Sequence, residues 1–140
     1  SINYDLRNKK ILILGNGGST QTFNYFCDSS NEVVIVSRQK NEDTKLYNEI
    51  LNLVPEIQVL INTTPIGMPP FENEMLPVPY ELFENLDSGE VGRGGHPVVY
   101  WDITEAGRMW RSDIGRMIQL GQRMEIYPQS FFYLPSDDII

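Results

Sequence analysis

The hydrophobic positions of this chain fall into two rhythms, and their succession predicts strands alternating with helices. Lys9 to Leu14 carries the unbroken run Ile11-Leu12-Ile13-Leu14, the pattern of a strand buried on both faces. Gly18 to Cys27 follows with Phe23, Phe26 and Cys27 on one helical face. Glu32-Val33-Val34-Ile35-Val36-Ser37 is a second strand, rich in β-branched residues. Beyond it, Asn41 suits a helix N-cap, and Glu42 and Asp43 suit the positive end of a helix dipole. Leu46, Ile50 and Leu53 recur at i, i+4 and i+7, which predicts a second helix ended by Pro55. Ile57 to Asn62 reads as a third strand and runs into a proline- and glycine-bearing loop, Thr63 to Pro70.

The second half is patterned less densely. A short helix is expected near Tyr80 to Leu86, and the glycine-rich stretch from Ser88 to Gly95 reads as a surface loop. Pro97 to Ile103 is a fourth strand. Thr104 suits the cap of a helix carrying Trp110, Ile114, Met117 and Ile118 and ending at Gly121. Met124 to Tyr127 is a short fifth strand. Such alternation predicts an α/β fold, a doubly wound parallel sheet of about five strands in the order 3-2-1-4-5.

Length and composition narrow the picture. At 140 residues, with 41% apolar and 21% charged residues, the chain fits one soluble domain, taken as 1–140. No apolar run is long enough for a membrane span, and no signal peptide is recognisable at the start. The single Cys27 rules out an internal disulfide framework, which together with those features gives a cytoplasmic expectation. A net charge of −8 argues against a nucleic-acid partner, though not against a phosphate held by local donors. Composition also shifts along the chain: all eleven Asn precede residue 88, and five of the seven Arg lie from Arg93 onward. That boundary raises a second reading, a composite or engineered domain with its junction near 87–97 and no catalytic function.

The candidate chemistry sits where strands end. Gly15-Asn16-Gly17-Gly18-Ser19-Thr20 joins the first strand to the first helix. There Gly15 permits a tight turn, Gly17 lets backbone approach a pyrophosphate, and Ser19 and Thr20 offer hydroxyls at a helix N-terminus. The third glycine of a dinucleotide fingerprint is replaced by Thr20. After the second strand comes Ser37-Arg38-Gln39 rather than the acid that holds ribose hydroxyls in NAD binders. Arg38 can pair a 2′-phosphate bidentately, so NADP is favoured over NAD. The missing acid also argues against a methyl transferase. His96 and Cys27 give no metal-ligand spacing, and Cys27 reads as core-facing rather than nucleophilic. Asp102 closes the fourth strand, where a carboxylate serves either function or helix capping.

A third segment brings a family into view. Ile61-Asn62-Thr63-Thr64-Pro65-Ile66-Gly67-Met68 resembles the Ile-Asn-Ala-Thr-x-x-Gly-Met segment of shikimate dehydrogenases. The glycine loop is similar to their Gly-Ala-Gly-Gly-Ala-Ala, and Ser37-Arg38-Gln39 to their NADP-selecting Asn-Arg-Thr. The resemblance covers about residues 8 to 87. It implies a Rossmann-like cofactor domain in which Gly15 to Thr20, Ser37, Arg38, Gln39, Thr63, Thr64 and Met68 contact NADP. It also implies an oxidoreductase of aromatic amino acid biosynthesis that interconverts 3-dehydroshikimate and shikimate.

The departures are equally specific. The family's catalytic Lys and Asp come from a substrate domain that precedes the cofactor domain, and this chain starts almost at the latter. Cofactor binding without turnover is therefore expected, with catalytic residues unassigned and a substrate domain or partner chain supplying the rest. Association into oligomers stays open. After the fourth strand the family reads Asp-x-x-Tyr-x-Pro-x-x-Thr, whereas Asp102 is followed by Ile103-Thr104-Glu105-Ala106-Gly107. The family's late Gly-x-x-Met-Leu-x-x-Gln helix has only a distant echo in Gln129-Ser130-Phe131-Phe132.

Overall fold

The computed structural model describes residues 6–67, 70, 71, 73–83, 98–102, 112–120 and 124–128. Its strands are β1 (Lys10–Leu14), β2 (Glu32–Val36), β3 (Thr44–Lys45), β4 (Val59–Asn62), β5 (Val98–Asp102) and β6 (Met124–Pro128), with helices α1 (Gly18–Phe26) and α2 (Ser112–Gln119). They form one sheet in the order β3-β2-β1-β4-β5-β6. Every pairing is parallel. The α/β class and the order 3-2-1-4-5 are thus present, with a sixth strand added at the far edge.

Which segment fills the third place is a correction. Residues 57–62 were expected there, but that stretch supplies β4 and pairs with β1. The third place belongs to Thr44–Lys45, which pairs with Ile35 and Val36. It lies inside the region expected to form the second helix, and that helix is absent. The reason is local. The Asn41 side chain accepts from the Asp43 amide at 2.9 Å, and the Thr44 hydroxyl accepts from the Asn41 amide at 3.1 Å. Asparagine turn chemistry therefore competes successfully with the helix start. Two single 3-10 turns follow, Tyr47–Glu49 and Val54–Glu56. The expected apolar stripe survives in part, with Ile50 fully buried and Leu46 and Leu53 half-buried.

Period-2 alternation in β1 builds the core on both sides of the sheet. Leu12 and Leu14 join Val36, Leu60, Tyr100 and Met117 on one face, where the 3-10 turns and α2 pack. Ile11 and Ile13 join Ile35, Val59, Ile61 and Val99 on the other, covered by Phe23 of α1. Phe26, expected beside Phe23, is 41% exposed. Cys27 is half-buried, as expected of a core-facing residue, and burial is the main cause pushing its thiol above the ordinary range.

Register decides what the strand ends can do. Leu14 is level with Val36 on β2 and with Asn62 on β4. Asn62 is level with Asp102 on β5. The loops leaving β1, β2 and β4 therefore open side by side at the carboxyl edge, where parallel sheets bind ligands. Residues 84–97, which include His96 and the proposed junction near 87–97, lie outside the described residues.

Candidate functional site

The site begins one residue past β1. Gly15 has φ +105°, in the left-handed region that side-chain-bearing residues rarely adopt. A Cβ at Gly15 would collide with the Thr63 hydroxyl and lie 3.0 Å from Thr64 Cγ2. Glycine is required there by both torsion and space. The Gly15 amide donates to the Val36 carbonyl at 2.8 Å, and the Thr63 amide donates to the Leu14 carbonyl at 3.0 Å. These bonds carry the ladders one step beyond the strands and hold the three loops in a common frame.

Gly17 and Gly18 serve differently. A Cβ at either would meet nothing within 4 Å, so the loop is open on its outer side. Gly17 is the N-cap of α1 and provides no side chain to the first-turn amides. The result is a helix N-terminus with approachable backbone, the arrangement that favours an anion.

Thr20 stands behind the loop rather than on its open side. Its side chain is fully buried, and its hydroxyl lies 2.9 Å from the Gly15 carbonyl and 3.1 Å from Thr63 Oγ1. The expectation of a Thr20 hydroxyl offered to phosphate is corrected accordingly: that hydroxyl is directed inward. Thr63 is engaged in the same way, donating to the Leu14 carbonyl at 2.6 Å. Ser19 is exposed at the start of α1. The Asn16 side-chain oxygen accepts from Gln21 at 2.6 Å, and Asn16 lines a separate cavity of about 550 Å³ beside Asn24, Asn41, Glu42 and Asp43.

The cavity that matters for the strand ends has a volume of about 470 Å³. Gly15, Ser37, Arg38, Gln39, Thr64, Pro65 and Ile66 line it from the three loops, and Tyr47, Phe71, Glu74 and Leu76 complete the wall. Arg38 is exposed at this rim. The Ser37 hydroxyl accepts from the Gln39 amide at 3.2 Å, which turns the chain sharply after β2. Burial pushes the Tyr47 phenol up to about 12, while the neighbouring Arg38 cation works in the opposite sense. Lys40, two residues on, is tied to Glu49 at 2.7 Å.

Asn62 organises the β4 loop and was not singled out from sequence. It is fully buried, and its side-chain oxygen accepts from both the amide and the hydroxyl of Thr64, each at 2.8 Å. The Asn-Thr-Thr-Pro string carried that signal, because asparagine after a strand commonly bonds two residues onward. The wall residues Tyr47, Phe71 and Leu76 carried no comparable signal. Met68 lies outside the described residues. So does the side chain of Asp102, although its backbone closes β5 at the same edge. Among the described residues no group of His, Cys, Asp and Glu is arranged to hold a metal, and no helix is long and apolar enough to cross a membrane.

No protein-family model matches the chain. Individual relatives do. Shikimate dehydrogenase (NADP(+)) of Methanococcus vannielii is 30% identical over 97 residues, covering 56% of this chain and 34% of that protein. The enzyme of the same name from Prochlorococcus marinus strain MIT 9515 is 30% identical over 108 residues, covering 64% of this chain and 38% of that protein. A chorismate mutase/shikimate 5-dehydrogenase fusion protein from Clostridium acetobutylicum shares the fold with a TM-score of 0.62 at 20% identity, over 91% of this chain and 43% of that one. Shikimate 5-dehydrogenase from Listeria monocytogenes, solved with shikimate and NAD, gives a TM-score of 0.62 at 15% identity over 97% of this chain and 56% of that one. The chain is thus similar to shikimate dehydrogenases in sequence and fold, and spans about a third of the length of the curated relatives it matches.

Proposed function

We propose that these residues form the NADP-binding domain of a shikimate dehydrogenase-like oxidoreductase, whose substrate is held by protein outside them. The observation that carries this reading is the 470 Å³ cavity at the carboxyl edge, lined together by Gly15 at the start of the glycine loop, by the arginine rim and by the Thr64-Pro65-Ile66 loop. The residues fit the group. Gly17 and Gly18 leave room for a pyrophosphate against the start of α1. No carboxylate stands at Ser37, Arg38 or Gln39 directly after β2, where NAD binders place an acid, and Arg38 stands where a guanidinium can pair a 2′-phosphate.

When bound, the cofactor carries the hydride. The chain's own part is to bind and orient it. Gly15 turns the backbone, the α1 amides meet the pyrophosphate, Arg38 selects the phosphorylated ribose, and the Asn62-held loop forms the floor toward the nicotinamide. Curated relatives bearing the name shikimate dehydrogenase (NADP(+)) support this choice of cofactor.

Calorimetric titration of the 140-residue chain tests the reading. NADPH is expected to bind more tightly than NADH, and Arg38→Ala to remove about tenfold or more of that preference, the size of a charge-assisted bond. Neither nucleotide binding to folded protein would refute the reading and favour the composite domain suggested by the compositional boundary near residue 87. Added 3-dehydroshikimate should produce no NADPH oxidation by this chain alone.

A further inference from the structure

Thr20 and Thr63 lie 43 positions apart, and their hydroxyls meet at 3.1 Å behind the glycine loop. Each carries a single proton. Thr63 places its own on the Leu14 carbonyl at 2.6 Å. The Thr20 proton is then shared between the Gly15 carbonyl at 2.9 Å and the Thr63 oxygen. Two consecutive carbonyls, the last of β1 and the first of the loop, are thereby fixed inward. The bond network ties together the end of β1, the first turn of α1 and the start of the β4 loop, with Thr20 fully buried.

We infer that Thr20 and Thr63 are a paired positioning device, a hydroxyl latch that holds the glycine loop against the end of β4 and keeps its open side ready for the cofactor. The inference rests on the NADP reading for its ligand, but the latch itself exists in the ligand-free protein. Neither residue contacts the cofactor; they act through Gly15. A preorganised loop binds more tightly because less ordering remains to be done on association.

The test combines amide exchange without ligand and NADPH titration, on Thr20→Val, Thr63→Val, Thr20→Ser, Thr63→Ser, Thr20→Ala, Thr63→Ala and the double variant Thr20→Ala/Thr63→Ala. Valine keeps the shape and removes the hydroxyl, while serine keeps the hydroxyl. Each valine variant is expected to speed exchange of the Gly15 and Thr63 amides and to weaken NADPH binding about fivefold, the net worth of one hydrogen bond. The serine variants should restore both. The double alanine variant, against the two single alanines, should lose less affinity than their product, because one removal already breaks the shared bond. Its alanine pair also keeps the test available if a valine variant fails to fold.

Unchanged exchange in folded valine variants would overturn the latch, as would alanine effects that simply multiply. If the unaltered chain does not bind NADPH, the cofactor reading fails, and the exchange arm still decides the latch.

Discussion

Two regions at the strand ends are built on opposite principles: a glycine–threonine corner that stands behind the cavity and reaches its wall through Gly15, and an arginine rim that lines the cavity directly. The glycine–threonine corner contains no formal charge among Leu14, Gly15, Thr20, Asn62 and Thr63, and is nearly closed to solvent. Its bonds run between the buried Thr20 hydroxyl, the half-buried Thr63 and Thr64 hydroxyls, the buried Asn62 side chain and the Leu14 and Gly15 carbonyls. The arginine rim at Ser37-Arg38-Gln39 is open and charged, tied to the β3 segment by the Ser37 amide on the Lys45 carbonyl and the Thr44 hydroxyl on the Gln39 carbonyl, with the Ser37 hydroxyl turning the chain locally. The difference teaches a division of labour. Where the loop must keep one shape, bonds are buried and expensive to lose. An exposed cation such as Arg38, by contrast, can be changed with little consequence for folding.

Substitutions at the two regions should therefore separate stability from selectivity. The largest effect is expected for Gly15→Ala, which combines a positive φ with a collision against Thr63. A loss of roughly 2–4 kcal/mol should appear in urea denaturation, together with loss of NADPH binding. Normal stability of that variant would show that the corner yields more easily than its packing implies. Next, Asn62→Ala leaves the Thr64 amide without its buried acceptor and should cost about 1–3 kcal/mol. Arg38→Ala should leave the urea midpoint unchanged while reducing the preference for NADPH; a large stability loss would erase the contrast between the regions.

Titration sharpens the comparison further. The Tyr47 phenol sits on the wall with its ionisation moved up to about 12 by burial. A raised value means the folded state holds the proton more firmly. The associated stability is complete below the ordinary tyrosine range near 10 and is lost as pH rises through about 12. Ultraviolet titration of the protein against Tyr47→Phe should remove one late-ionising phenol. The smallest effect belongs to Glu49, fully solvated as a titrating group. The Leu46 amide first, and then Lys40, hold its carboxyl below the ordinary glutamate range. That contribution is present above the ordinary value and is lost as pH falls through the lower folded one. Glu49→Gln should flatten the acid limb of the stability profile slightly.

These residues also show why some features were readable in advance and others were not. Ile11 to Leu14 read as a strand buried on both faces and Val33 to Val36 as a second strand by its β-branched residues, and Gly15 to Gly18 advertised their turn by composition. Thr20 was legible as a helix-start hydroxyl, but nothing local reveals whether such a hydroxyl faces a ligand or a carbonyl behind it. The second helix failed for a related reason. Leu46, Ile50 and Leu53 have helical spacing, yet the Asn41 and Thr44 side chains close turns that deny the helix its beginning. Periodicity records which residues seek burial, and several backbone paths can bury the same three.

The identities of β1, β2, β4, β5 and β6, the glycine junction, the cation after β2 and the asparagine–threonine loop were written in the linear order of residues, because each depends on neighbours within a few positions. Tertiary structure alone decided that Leu14, Val36 and Asn62 stand level, that Thr20 meets Thr63, and that Tyr47, Phe71 and Leu76 wall the cavity. Those outcomes depend on strand register and on contacts between distant segments. A shift of one residue in register would turn the same side chains to opposite faces of the sheet.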